Sequence, residues 1–198
     1  VAAQEVIGVV LAAGDGARMG RSKALLLVGD EPLAVGHARR AIEGGCARVV
    51  LVVRPEVAPK LPAMDRVEVV TSMAEDQAGS LAVAVRAIAP PEDAVLLVTP
   101  VDCAPVRAPT IEQLLGALKA GVDAVTPRIG DKSGHPIVCR ASVLAPYAGA
   151  SPPPLRDVLR ALGDRRARLD VADPLVAVDL DTPEDVAALT GAPPRFVG

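Results

Sequence analysis

Three apolar runs constrain the fold of this chain more than any other feature: Glu5–Leu11, Arg48–Val53 and Ala94–Thr99. Each has the length of a strand and offers almost no polar residue to either face, the pattern of a strand buried on both sides in a parallel sheet. Such a sheet needs helices over each face. The sequence between the first two runs predicts one over about Leu33 to Gly44, with Leu33, Val35, Ala38, Ala41 and Ile42 on one side and Gly44-Gly45 as its stop. The first fifty-odd residues therefore read as a βαβ unit.

The rest of the chain continues that alternation. Val67–Thr71 reads as a short strand, followed by a loop over Ser72–Gly79 and a helix over Ser80–Ile88. Thr110–Ala120 reads as a helix capped by Thr110, then Ala124–Pro127 and Pro136–Cys139 as shorter strands. Beyond the Pro-rich stretch at Ser151–Pro154, a helix is expected over Leu155–Leu162, a strand over Leu175–Leu180 and a last helix from Thr182-Pro183. The fold expected is three-layer α/β/α, Rossmann-like, with a mostly parallel sheet, in one domain covering residues 1–198, since no repeat or long linker interrupts it. Ligands in such folds bind outside the carboxyl ends of the strands. That points to the loops after Val10, Thr71, Thr99 and Leu180.

Composition excludes several classes of function. A net charge of -3, with one Tyr, one Phe and no Trp, supplies neither a field for a nucleic-acid backbone nor a platform for stacked bases. No apolar run reaches the roughly 20 residues that span a bilayer, so no membrane segment is expected. Val1–Glu5 lacks the basic and apolar regions of a secretory signal, which makes the cytoplasm the expected location. Cys46, Cys103 and Cys139 are odd in number and far apart, so they read as reduced thiols in packed positions. Arg165, Arg166 and Arg168 form a small basic cluster that reads as solvated surface.

The segment Leu11-Ala12-Ala13-Gly14-Asp15-Gly16-Ala17-Arg18-Met19-Gly20-Arg21-Ser22-Lys23 has the composition of an anion site. Gly14, Gly16 and Gly20 let the backbone turn tightly and approach a phosphate with its amides, and Arg18 and Lys23 add positive charge. No Gly-Lys-Ser/Thr follows at Walker spacing, which excludes that loop. A dinucleotide-binding fold also opens with a strand, Gly-x-Gly and a helix, but here the third glycine comes one place late and about a dozen residues precede the helix. The second strand moreover ends in Arg54, not in an acid for a ribose hydroxyl.

Acidic residues gather at two other strand ends. Leu96–Thr99 delivers Asp102 to the ligand edge, and Val178-Asp179-Leu180-Asp181 places Asp179 and Asp181 on one side of an extended segment. Converging carboxylates suit a hard cation such as magnesium. Asp181 has a rival role as the cap of the final helix.

These residues resemble the molybdenum-cofactor nucleotidyltransferases, most of all their cytidylyltransferase branch. The likeness rests on Leu-Ala-Ala-Gly-x-x-x-Arg-Met-Gly-x-x-Lys at Leu11–Lys23, Gly79-Ser80-Leu81, Gly134-His135-Pro136 and Asp179-x-Asp-Thr-Pro-Glu-Asp185. Two places depart from that pattern: Asp102-Cys103-Ala104-Pro105 stands for Asp-Gln-Pro, and Ala150–Leu155 replaces a Gly-Asp-x-Gly-Ala-Arg region. The resemblance implies a glycosyltransferase-A-like fold, with Leu11, Ala12, Ala13, Gly14 and Gly16 binding the nucleotide, the Gly14–Gly20 loop with Arg18 and Lys23 holding the triphosphate, and Gly79, Ser80 and the loop before them near base and ribose. It implies that Asp102 and an acid of the Asp179/Asp181 pair hold Mg2+, and it leaves His135 as either a substrate contact or a structural histidine. The implied reaction transfers CMP from CTP to a phosphorylated acceptor, molybdopterin, and releases pyrophosphate. A molybdoenzyme or chaperone that receives the cofactor is the implied protein partner. Guanylyl transfer, another phosphorylated acceptor such as a sugar phosphate, and a non-catalytic nucleotide-binding or NAD(P)-binding protein are the alternatives.

Overall fold

The structure, a computed structural model, describes residues 4–14, 16 and 19–198. In chain order its strands and helices are β1 (Val6–Ala12), β2 (Leu26–Val28), β3 (Glu31–Pro32), α1 (Leu33–Glu43), β4 (Arg48–Val53), β5 (Val67–Thr71), α2 (Gln77–Ile88), β6 (Val95–Pro100), α3 (Ala108–Gly116), β7 (Ala124–Ile129), β8 (Lys132–Ser133), β9 (Ile137–Arg140), α4 (Leu155–Ala161), β10 (Arg166–Asp170), α5 (Pro183–Thr190) and β11 (Arg195–Phe196). The large sheet runs β10-β7-β9-β6-β1-β4-β5, with β8 paired to β7. Along that path only β9 opposes its neighbours; β5, β4, β1 and β6 are mutually parallel, and β10 is parallel to β7.

The central strands are apolar throughout because both faces are covered. Val10 and Ala12 of β1, Val49, Leu51 and Val53 of β4, and Val95 and Leu97 of β6 enter one core, where they meet Leu33, Ala34 and Ala38 of α1, Ile111 and Leu114 of α3 and Val186 of α5. Their alternates, Ile7, Val9 and Leu11, Val50 and Val52, Leu96 and Val98, enter the other core with Leu81, Ala84 and Val85 of α2, Leu159 of α4 and Tyr147. Period-two alternation thus divides each strand between two layers of helices. The three-layer, mostly parallel architecture follows. The three cysteines are free and buried, and burial pushes each thiol up to about 12.

Several boundaries differ from the expectation. Helix α2 starts at Gln77, not Ser80, because the Asp76 carboxylate accepts from the Gly79 amide at 2.7 Å and caps it. Gly79 and Ser80 consequently lie in the first helical turn. Helix α3 starts at Ala108 with Pro109 in its first turn, and Thr110 is not its cap. Instead the Thr110 hydroxyl and the Arg107 amide both donate to the buried carboxylate of Asp173, each at 2.9 Å. The strand expected over Leu175–Leu180 is a 3-10 turn at Pro174–Ala177, begun by Asp173 accepting from the Leu175 amide, followed by a single antiparallel bridge between Asp179 and Cys103. The strand at this end of the sheet is β10, whose Arg-Ala-Arg-Leu-Asp alternation turns Ala167 and Leu169 toward the core. A second sheet, β11-β2-β3, joins the segment after Lys23 to the C-terminal residues.

Asp173 thus ties the start of α3 to the turn before the acidic C-terminal segment. Replacing it by Ala strands three donors, the Arg107 and Leu175 amides and the Thr110 hydroxyl, which costs about 1–3 kcal/mol for each group left buried and unsatisfied. Urea unfolding of Asp173→Ala is expected to show a loss of about 2 kcal/mol or more, with an unchanged slope.

Candidate active site

The order of the strands selects the place. From β1 the chain moves to β4 and β5 on one side and then returns to add β6 on the other side of β1. The crevice outside the carboxyl ends of β1 and β6 is therefore a topological switch point, where open α/β sheets bind ligands. Leu11 of β1 sits in register with Pro100 of β6. The glycine-rich segment and the turn bearing Asp102 leave the sheet side by side.

On the β1 side, Gly16 adopts φ +65° and its carbonyl accepts from the Met19 amide at 2.8 Å. A Cβ at Gly16 would collide with the Arg21 carbonyl, so the loop closes only with glycine at this position. The chain then enters a 3-10 turn, Lys23–Leu25, which carries the Lys23 side chain inward until it is only 10% exposed. Its ammonium donates to Asp181 Oδ1 at 2.6 Å. An ammonium has three donors, so this bond leaves others for a ligand anion. Arg18 lies outside the described residues.

On the β6 side, two backbone bonds clamp the Asp102 turn to the C-terminal segment: Leu180 N donates to Asp102 O at 2.7 Å, and Ala104 N to Val178 O at 2.9 Å. They bring Asp102, Asp179 and Asp181 to one edge, with Asp179 exposed and Asp181 half-buried. The rival role of Asp181 as a helix cap is filled by its neighbours, since Thr182 and Asp185 form a capping box at the start of α5. Asp102 is half-buried, and its acidity is weakened chiefly by desolvation, opposed by Lys23 and His135 and reinforced by Asp181 and Asp179. A cation arriving here would relieve both effects. Among the described residues no group of three or more His, Cys, Asp or Glu side chains is arranged to hold a metal. The donor set suits a hard ion that takes one or two carboxylates and draws its remaining oxygens from phosphate and water.

Two clefts flank this edge. One, of about 170 Å³, is bounded by Leu11, Ala13 and Gly14 of the loop and by Ala74, Asp76 and Ser80 at the start of α2. The other, of about 440 Å³, lies beyond Gln77, which borders both and whose amide is 3.4 Å from Asp102 Oδ2. Ser80 thus reaches the smaller cleft, while Gly79 is held by the Asp76 cap and lines neither cleft. Ala12 is buried within β1, so only its backbone is on offer. Asp76 and Gln77, which border both clefts, belong to the Ser72–Gly79 loop expected near base and ribose, although neither residue is singled out by the sequence reading. An acid three residues ahead of Gly79, just before an apolar helical run, was the cap signal that would have found them.

His135 lines the larger cleft, and its peptide bond to Pro136 is cis. Its amide donates to Val176 O at 3.0 Å, and a Cβ on the preceding Gly134 would collide with that same carbonyl. The ring nitrogen Nδ1 is buried with no partner among the described residues. Desolvation makes the ring harder to protonate, against the pull of Asp102 and Asp179. A second histidine, His37 of α1, is fully buried behind the site, with Nε2 2.9 Å from the carbonyl of Cys103, next to Asp102.

Residues 8–169 match the MobA-like NTP transferase domain. The chain belongs to that family and is a nucleotidyltransferase. Among curated proteins none matches significantly. The fold is similar to that of Rv0371c from Mycobacterium tuberculosis H37Rv, with 24% identity, a TM-score of 0.80 and coverage of 97% of this chain and 100% of that one. A manganese complex of Rv0371c matches at 23% identity and a TM-score of 0.77, over 96% and 100% of the two chains. A nucleotidyl transferase from Methanothermobacter matches at 20% identity and a TM-score of 0.78, over 96% and 97%. No helix among the described residues is long and apolar enough to cross a membrane.

Burial lowers the His37 imidazole from its ordinary 6.5 to about 4, against the opposing hydrogen bond to Cys103. The unfolded chain takes up a proton that the folded chain refuses, so stability is whole above about pH 6.5 and falls as the pH drops toward 4. The accumulated loss is about 3 kcal/mol. Urea unfolding at pH 7 and pH 4.5 is expected to show this fall, and His37→Gln to show a shallower one.

Proposed function

We propose that the chain transfers a nucleoside monophosphate from a nucleoside triphosphate, CTP in the first instance, to a phosphorylated acceptor, the molybdenum-bound pterin of molybdenum cofactor, with Mg2+ and release of pyrophosphate. The observation that carries this reading is the meeting, at one switch point, of a glycine loop ending in Lys23 with the Asp102 turn and the Asp179–Asp181 segment. The preference for cytidylyl transfer rests on the motif resemblance. The occurrence of Rv0371c as a manganese complex supports a divalent metal.

In this reading Leu11, Ala13 and Gly14 line the nucleotide side with Ser80, and the loop amides face the phosphates. Lys23 and Arg18 neutralise triphosphate charge. Asp102, with Asp179 or Asp181, holds the metal, which when bound supplies charge neutralisation at the α-phosphate and the leaving pyrophosphate. An oxygen of the acceptor phosphate attacks the α-phosphate as the bond to pyrophosphate breaks in line. That oxygen is already anionic, so no side chain has to remove a proton. The protein's work is positioning and electrostatic stabilisation. His135 borders the acceptor side.

Asp102→Ala and Lys23→Ala are each expected to slow metal-dependent pyrophosphate release about 10²–10³-fold, the range for removal of one electrostatic donor. Near-normal release from both would refute the mechanism. Thermal shift with CTP, GTP, UTP and ATP in the presence of Mg2+ reads the base, because a selective ligand raises the melting temperature by mass action. CTP is expected to give the largest rise, and a larger one with GTP would move the reading to guanylyl transfer. Pyrophosphate release that depends on molybdenum-bound pterin tests the acceptor.

A further inference from the structure

The larger cleft has a second pole that the transfer reading does not use. At about 440 Å³ it falls within the roughly 300–1,000 Å³ of small-molecule sites. Much of its wall is apolar, from Leu11, Leu81 and Ile137 to Leu155 and Leu159. Polar groups complete the lining, among them Asp76, Ser133 and the largely exposed Arg156. His135 with its unpartnered Nδ1 and Gln77 stand on the side of Asp102, and Arg166 and Thr126, on the paired strands β10 and β7, belong to the same lining.

Arg166 differs from its neighbours. Arg165 is bonded to Asp123 at 2.6 Å, and Arg128 makes a two-pronged pair with Asp170 at 2.7 and 2.8 Å. Arg166 is half-buried, donates its Nε to Thr126 Oγ1 at 3.0 Å, and has no carboxylate partner among the described residues. Desolvation and the nearby Arg168 both work against its charge. A guanidinium held in this way, its fork open to a cleft, is costly until an anion meets it, and its planar geometry matches a carboxylate or phosphate. The basic cluster that reads in the sequence as solvated surface is therefore not uniform, since Arg165 and Arg168 are exposed while Arg166 faces a cavity.

We propose that Arg166, oriented by Thr126, binds a second anionic group of the acceptor, so that this cleft selects a molecule with a phosphate at one pole, an apolar or ring-like body, and an acidic group at the other. The inference rests on the transfer reading for the place of the acceptor phosphate. Its own content, an anion subsite at Arg166, is tested by binding alone. Phenyl phosphate and 4-carboxyphenyl phosphate are suitable probes because they differ only in the second anion.

Titration calorimetry on the full chain is expected to show the carboxylated probe binding about 10- to 100-fold more tightly than phenyl phosphate, the range for a hydrogen bond to a charged group. Arg166→Met should remove that difference and leave the melting-temperature rise with CTP and Mg2+ unchanged. Arg166→Lys, which keeps the charge and loses the fork, should restore only part of it. Equal binding of the two probes to the native chain, or a difference that survives Arg166→Met, would overturn the proposal. If probe discrimination depends on Arg166 but no triphosphate binds, the subsite stands and the transfer reading falls. If triphosphate binds and transfer proceeds but the probes are not discriminated, the reverse holds.

Discussion

Strand β1 is hydrogen-bonded on both edges, to β4 and to β6, with all three strands running the same way. Every other feature of the candidate site depends on that arrangement. It buries both faces of β1 and leaves only its carboxyl end free for chemistry. It also sets Leu11 level with Pro100, so that a loop built for anions and a turn built around a carboxylate emerge beside each other from segments some ninety residues apart in sequence. A parallel sheet requires such long crossovers, and the reversal of strand order at β1 is what opens the crevice.

Opposite charges hold the two halves of the site together. Lys23 meets Asp181 at 2.6 Å, which links the end of the glycine loop to the segment running along the Asp102 turn. The bond is half-sheltered, and its net worth to stability is small once desolvation is counted. Its consequence is positional, because it fixes the ammonium beside the acids. Asp102 is desolvated and stands near Lys23 and His135 as well as Asp181 and Asp179, so an arriving cation would favour its ionised form. His37 supports the same turn from behind through the Cys103 carbonyl.

The sequence disclosed the parts of this fold whose residues repeat. The runs at β1, β4 and β6 are wholly apolar because both faces are buried, and their limits were legible to within a residue or so. The glycine loop, Lys23 and Asp102 could be named because their residue types carry their chemistry. What escaped detection depends on distant contacts. The 3-10 turn at Pro174–Ala177 looked like a strand because Leu175, Val176 and Val178 are strand formers, and the side chain of Asp173, bonded to α3, overrides that preference. Strand β10 hid behind its arginines, although Ala167 and Leu169 alternate with them. Pieces of two or three residues, such as β2, β3 and β11, carry no period at all. The open guanidinium of Arg166 could not be told from its paired neighbours without the positions of Asp123 and Asp170.

The central claim is that the loop ending in Lys23 and the turn bearing Asp102 are two halves of one metal–triphosphate site. Electron paramagnetic resonance of Mn2+ titrated into the protein, with and without CTP, tests it most directly. Tight uptake of Mn2+ should require the triphosphate, and Asp102→Asn should weaken it by at least about tenfold while the fold remains intact. Uptake that is indifferent to CTP, or unchanged in Asp102→Asn, would contradict the account.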